Sequence, residues 1–333
     1  MKKLKNFSFF QKRVLVRCDF NVSFDEKGRI LDGFRIKATI PTIRYLLAKK
    51  ARLVLLSHLS DKNASLKPVA ERLGKLLNKK VEFLKDWIGQ KPEGEIVLLE
   101  NLRFCKGEEE NRESFAKDLA RLGDVFINDA FGVCHRNHAS VVSLPKFLPS
   151  FSGFLLEKEI KNLSRISRNP KRPLLAIIGG AKAETKVKLI DKISEAADFV
   201  LINGLLKKEL RESKVCLKNL QKTIMPREEG QDIGEKDIGF FCDKIKTAKT
   251  IFWNGPFGRV EKKEFQKGTL AIARAIIKSR AFSVVGGGET IWFLDKKRLI
   301  NKFSHISTGG GAMLAYLSGE KLPGLEALKC NGD

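Results

Sequence analysis

Residues 174–186 read LLAIIGGAKAETK: five apolar residues, a Gly-Gly turn, and the opening of a segment whose apolar positions recur at helical spacing through residue 197. An uninterrupted apolar run of that length suits a strand buried on both faces, and the turn into an amphipathic helix is how a parallel sheet acquires its cover. The pattern repeats along the chain. In the first half the apolar runs are 13–17, 52–56, 96–99 and 125–128; in the second they are 174–178, 199–202, 223–225, 250–253, 282–285 and 303–306. Amphipathic stretches such as 66–77 separate them, so the expected class is α/β with parallel sheets covered by helices.

A chain of 333 residues exceeds one ordinary core, and about two domains are expected. Between the halves, Phe154, Leu155, Ile160, Leu163 and Ile166 recur at helical spacing before the Asn-Pro-Lys-Arg-Pro punctuation at 169–173. This predicts a connecting helix over 153–170. The remaining divisions are then 1–152 and 171 onward.

Composition narrows the partners. Sixty-three Lys+Arg against 39 Asp+Glu give a formal charge of +24, a field that favours anions. The basic residues are dispersed, with no Arg-rich arm, zinc-finger spacing or aromatic RNA-binding strand, so no specific nucleic acid is expected and small polyphosphates and carboxylates are. The six cysteines, Cys18, Cys105, Cys134, Cys216, Cys242 and Cys330, form no CxxC pair and no zinc-type spacing with His. Reduced thiols, no membrane span and a cytoplasmic location are the corresponding expectations.

Ligands of doubly wound sheets sit beyond the carboxyl ends of the strands, so the residues following each run are the candidates. After the first-half runs come Asp19 and Asn21, then His58, then Asn101 and Arg103, then Asp129, His135, Arg136 and His138, with Arg35 on the loop from the first strand. That basic, hydrogen-bonding set suits a small phosphorylated acid. After the second-half runs come Gly179-Gly180-Ala181-Lys182, Asn203-Gly204, Asn254-Gly255-Pro256, Gly286-Gly287-Gly288-Glu289-Thr290 and Thr308-Gly309-Gly310-Gly311. Glycines at strand-to-helix turns let backbone amides approach a phosphate at a helix N-terminus. Neither a P-loop nor a dinucleotide fingerprint is present, and the protein-kinase signatures are missing.

The ordered segments KRVLVRCDFNV (12–22), SHL (57–59) with SLKPVAERL (65–73), VLLENLRFCKGEE (97–109), INDAFGVCHRNHAS (127–140), AIIGGAK (176–182), WNGPFG (253–258), VVGGGET (284–290) and SHISTGGGA (304–312) closely resemble the phosphoglycerate kinases and span nearly the whole chain. The resemblance implies two Rossmann-like three-layer domains facing across a hinged cleft, with 1–152 binding the triose acid, 171–311 binding the nucleotide and 312–333 packing back towards the first domain. It also implies a monomer that transfers a phosphoryl group between 1,3-bisphosphoglycerate with ADP and 3-phosphoglycerate with ATP, using Mg2+. Carried onto matching positions, Asp19, Asn21, Arg35, His58, Arg103 and Arg136 form the acid site. Lys182, Lys186, Asn254, Glu261, Gly286, Gly287, Gly288, Glu289 and Thr290 form the nucleotide side.

Within that assignment, Arg35 and Lys182 stabilise the migrating group, Arg103 and Arg136 clamp the distal phosphate, Glu289 takes the magnesium and Glu261 the ribose. His58 is expected to hydrogen-bond substrate, since a carboxylate acceptor has no proton to remove. His135 and His138 are left open between ligand contact and loop packing. Four departures from the family pattern stand out: Ser60-Asp61-Lys62 after SHL in place of Gly-Arg-Pro, Glu289 in place of Asp, Asn203-Gly204-Leu205-Leu206-Lys207 opening a shortened stretch before Trp253, and Ala312-Met313-Leu314-Ala315 where a Glu is usual.

Overall fold

The computed structural model describes residues 1–181 and 183–330. It divides into two compact units, Met1–Glu159 together with the described residues from 321 onward, and Ile160–Glu320. The helix Phe154–Ser167 carries the chain from one unit to the next.

The first unit holds a six-stranded sheet in the order β3-β4-β2-β1-β5-β6. Its strands are β1 (Arg13–Arg17), β2 (Arg52–Leu56), β3 (Glu82–Leu84), β4 (Ile96–Leu99), β5 (Val125–Asn128) and β6 (Ser150–Ser152). All neighbouring pairs are parallel; Val14, for example, aligns with Leu53 on one side and Val125 on the other. The four central strands are apolar and almost wholly buried, as strands covered on both faces must be. Val14, Val16, Ile36, Ile43, Leu53, Leu55 and Ile127 share one core.

The second unit repeats the architecture in the order β12-β11-β10-β7-β8-β9. Here the strands are β7 (Leu174–Ile178), β8 (Phe199–Ile202), β9 (Thr223–Ile224), β10 (Thr250–Asn254), β11 (Phe282–Gly286) and β12 (His305–Ile306), again parallel throughout. Leu175, Ile177, Phe241, Trp253, Phe257, Val285 and Phe293 build its core.

Two strands carry no advance signal in the sequence. β3 is three half-buried residues and β6 is Ser-Phe-Ser, and both lie at sheet edges, where short and polar strands limit unwanted pairing. Strand ends shift too. The run expected at 303–306 contracts to His305–Ile306, while β10 and β11 each run one residue further, so that Asn254 aligns with Ile178 and Gly286. Beyond β12, the helix Gly310–Leu317 belongs to the second unit, whereas the helix Pro323–Cys330 packs in the first against β6. There the Gly324 amide donates to Cys134 O at 3.0 Å, and an added Cβ would stand only 3.1 Å from Cys134 Cα.

In both sheets the strand order reverses once. β1 has β2 on one flank and β5 on the other, and β7 lies between β8 and β10. These are topological switch points, where the loops leaving adjacent strands diverge in opposite directions and open a crevice.

Candidate functional site

At the first switch point the crevice is lined by charged side chains. Arg17, the last residue of β1, is fully buried; its Nε donates to Ser140 Oγ at 2.7 Å and one terminal nitrogen to Cys18 O at 2.7 Å. Glu108 supplies the buried counter-charge. Its Oε1 lies 3.5 Å from Arg17 and accepts from Ser140 Oγ at 2.6 Å, while Oε2 accepts from the Ser140 amide at 2.9 Å. An ion pair taken out of water survives only when its remaining lone pairs and protons are satisfied, and Ser140 does that here.

The guanidinium of Arg17 also faces His58 Nδ1 at 3.3 and 3.4 Å. A guanidinium has only donors to offer, so Nδ1 is the acceptor and the ring proton sits on Nε2. Burial holds His58 well below the usual imidazole range, reinforced by Arg17, Arg103, Arg35 and His138. Burial likewise brings His138 down to about 4, with help from Arg17, Arg103 and Arg136 and against the pull of Glu109. Arg103 is itself lowered by burial, then by Arg136 and Arg17, with Glu109 and Glu108 opposing. These mutual influences bring Arg17, Arg35, Arg103, Arg136, His58 and His138 into one cationic cluster with both histidines neutral.

Around it, the loops hold the expected polar groups. Asn101 fixes the turn after β4, accepting from the amides of Leu59 and Arg103 at 3.1 Å each. Asn21 exchanges two hydrogen bonds with Ser60, its Nδ2 donating to Ser60 Oγ and its Oδ1 accepting from the Ser60 amide, both at 2.8 Å. Arg35, expected on the loop from β1, lies instead in the first turn of the helix Phe34–Ala48; it donates to Asn21 O at 2.8 Å and stands 3.6 Å from Asp19 Oδ1. Arg136 is exposed, and Arg103 is buried with no hydrogen-bond acceptor for Nε among the described residues. Asp129, read above as one more candidate at the strand ends, instead serves the fold: Oδ1 accepts from the amides of Leu155 and Leu156 at 2.9 and 3.2 Å, capping the helix Phe154–Ser167. Burial raises it to about 6.

The second switch point is built largely from backbone. Lys186 donates to Asn254 Oδ1 across the crevice between β7 and β10, and burial lowers its pKa although Glu289 raises it. The glycine turns divide by use. Gly179 and Gly255 lie so close that a Cβ on Gly255 would stand 2.1 Å from Gly179 O, and the amides of Gly179 and Gly180 are already given to Asn254 O and Pro256 O at 2.9 Å. Gly204 is covered by the segment around Gly230, and Gly286 by Met313. Gly288, with nothing within 4 Å of its missing Cβ, opens a helix directly after Gly287.

Gly287 has φ +96°, and its missing Cβ would lie 3.3 Å from Asn254 Nδ2 and 3.6 Å from Thr290 Oγ1. The helix Gly288–Lys296 starts there, and the helix Gly310–Leu317 begins alongside, Gly310 reaching Gly287 at 4.0 Å from its own missing Cβ. Two helix N-termini thus converge on one glycine, each with unpaired first-turn amides and the positive end of its dipole. Among the described residues, Thr290 Oγ1 is buried there without a hydrogen-bond partner. Buried hydroxyls are rarely left so, and this one lies where an anion would accept from it. Glu289 is exposed on the same first turn. Glu261 lies on an exposed turn after β10, with no hydrogen bond among the described residues, and Lys182 lies outside those residues.

The sequence reading passed over Arg17, Glu108 and Ser140. Of these, Arg17 alone has a signal in the sequence, as a charge at the carboxyl end of the strand Arg13–Arg17.

A family model described as "Phosphoglycerate kinase" matches residues 4–216 and, in a second piece, 206–320. "Phosphoglycerate kinase" of Borrelia garinii subsp. bavariensis is 41% identical over 391 residues, covering 99% of both chains. That of Borrelia turicatae is 40% identical over 390 residues with the same coverage. Among solved structures, phosphoglycerate kinase from Coxiella burnetii superposes with a TM-score of 0.85 at 32% identity, covering 100% of both chains. The Pyrococcus horikoshii OT3 enzyme gives 0.90 at 30% identity, covering 100% of this chain and 99% of that one. An alignment of 391 positions on a chain of 333 residues leaves gaps opposite this chain, and the two family matches overlap at 206–216, where the shortened stretch was expected.

Proposed function

The chain belongs to the phosphoglycerate kinase family, and we propose that it moves a phosphoryl group between the carboxyl-phosphate of 1,3-bisphosphoglycerate and ADP, with the acid held in the first unit and the nucleotide in the second. The observation that carries this division is the difference in materials. The first crevice gathers Arg17, Arg35, Arg103 and Arg136 around neutral histidines, and the second offers amides, a lysine and an unpartnered hydroxyl.

In this reading Arg103 and Arg136 clamp the distal phosphate, for which the planar guanidinium fork is suited. Asp19 and Asn21 set the loop against which Arg35 is held. His58, neutral and protonated on Nε2, donates to the acid. It needs no general-base role, because the acceptor oxygen is already ionised. Arg35 and Lys182 stabilise the charge of the migrating group, so catalysis comes from alignment and electrostatics.

On the nucleotide side, the amides opening at Gly287 and Gly288, with Thr290 Oγ1, Lys186 and Asn254, hold phosphate oxygens, and Glu261 takes the ribose. Among the described residues no three metal-ligating side chains cluster, and one exposed carboxylate beside an open helix N-terminus suits Mg2+ shared with phosphates. Glu289 would hold that ion, which neutralises phosphate charge when bound. The six free thiols support a reducing compartment, the cytoplasm.

The test is a coupled assay with 3-phosphoglycerate, ATP and Mg2+. Turnover is expected in the parent, with kcat lower by about 10²–10³-fold in Arg35→Ala, the usual cost of removing one stabiliser of transition-state charge. A parent without turnover, or an Arg35→Ala enzyme equal to it, overturns the reading.

A further inference from the structure

Glu109 stands at the mouth of the cationic cluster, and its two oxygens face different cations. Oε2 lies 2.5 Å from Lys62 Nζ, and Oε1 lies 3.6 Å from Arg103 Nε. The first contact is a hydrogen-bonded ion pair. The second is too long for a hydrogen bond, and Arg103 Nε is left buried without an acceptor among the described residues. Glu109 therefore lends Arg103 charge without satisfying it.

Accessibility separates this carboxylate from its neighbour. Glu108 is fully buried and committed to Arg17 and Ser140, whereas the Glu109 side chain is 33% exposed and Lys62 is 61% exposed. The Lys62 hydrogen bond, with the charges of Lys62 and Arg103 and against the opposing effect of burial, keeps Glu109 below the usual carboxylate range. A fixed negative charge thus lies between a solvent-facing lysine and a buried guanidinium, the position that an anionic ligand of Arg103 would approach.

We propose that Glu109 sets the affinity of the acid site: its carboxylate stands in for the ligand's phosphate between Lys62 and Arg103, and it releases Lys62 when that phosphate arrives. The proposal rests on the reading that the first unit binds phosphoglycerate. A phosphate carries two negative charges to within a few ångströms of Glu109, so the carboxylate repels the ligand and competes with it for the same lysine. The outcome is an acid site weaker than its cations alone would make it, with Lys62 as the exchanged cation.

Steady-state kinetics of the full chain, with inorganic phosphate as a competing probe, test this in the parent, Glu109→Gln, Lys62→Met and the double variant. Glu109→Gln should lower both KM for 3-phosphoglycerate and the inhibition constant of phosphate by about two- to fivefold, the range for one partly exposed charge, and leave KM for ATP alone. Lys62→Met should raise KM for the acid, and by a larger factor in the Glu109→Gln background, where the lysine no longer has to leave a partner. An unchanged or higher KM in Glu109→Gln overturns the proposal. So does a Lys62→Met effect that vanishes in that background, since Lys62 would then only neutralise Glu109. Arg103→Ala separates the two levels: if it leaves KM for the acid unchanged, the acid-site reading itself fails, and if it raises KM while Glu109→Gln does not lower it, only the role of Glu109 fails.

Discussion

In the first unit the crevice between β1 and β5 is spanned by Arg17, Glu108 and Ser140, three buried side chains from distant parts of the chain. In the second, the crevice between β7 and β10 is spanned by Gly179 and Gly255 backbone to backbone, with Lys186 and Asn254 above them. The same topology therefore yields a site whose charge is carried by side chains and a site whose charge is carried by amides and helix dipoles. Side-chain charges can be concentrated, as a small, highly charged acid demands, but they must be neutralised internally or remain costly. Backbone amides need no counter-ion, at the expense of glycines whose conformation few other residues can adopt.

The comparison breaks most visibly at Glu108. Replacing it with Ala leaves Arg17 buried without its carboxylate, and a loss of about 3–5 kcal/mol in unfolding free energy is expected from denaturant titration. If the loss stayed under about 1 kcal/mol, the cationic cluster would not depend on internal neutralisation.

A smaller effect of opposite sign is expected in the second unit. Thr290→Val removes a buried hydroxyl that has no partner, so stability should rise by about 1 kcal/mol while KM for the nucleotide increases and KM for the acid does not. Destabilisation together with an unchanged nucleotide KM would mean that the hydroxyl serves the fold and not a ligand.

The smallest effect is a pH dependence led by the buried histidines of the first unit. His58 and His138 are held neutral below their ordinary value of 6.5, so the unfolded chain binds more protons, and their contribution is present above 6.5 and lost as pH falls towards about 4. Asp129, raised from 3.8 to about 6, has the opposite sign: its contribution is present below 3.8 and lost as pH rises through about 6. With two histidines against one carboxyl, the denaturation midpoint should fall between pH 6.5 and 4.5, and less so in His138→Asn. An equal fall in His138→Asn would remove that histidine from the account.

Much of this organisation is legible in the sequence. Buried parallel strands announce themselves as apolar runs, which is why β1, β2, β4, β5, β7 and β8 have the bounds their residues suggest. β3 and β6 do not, because an edge strand needs neither apolar faces nor length. Site residues that act through their own side chains, such as Arg35, His58 and Arg103, stand out by type and by position after a strand. Glu108 and Ser140 do not, because their partner Arg17 is 91 and 123 residues away. Nor can glycine content distinguish Gly288, open at a helix N-terminus, from Gly179 or Gly286, each needed for close packing; only the packed neighbours do.

Amide hydrogen exchange, followed with 3-phosphoglycerate alone and with Mg-ADP alone, tests most directly whether the two crevices divide the ligands. The acid should protect 57–63, 101–109 and 130–140 and leave the second unit unchanged, and the nucleotide should protect 286–292 and 309–313 and leave the first unit unchanged. Protection of the glycine turn by the acid, or of the arginine cluster by the nucleotide, would contradict it.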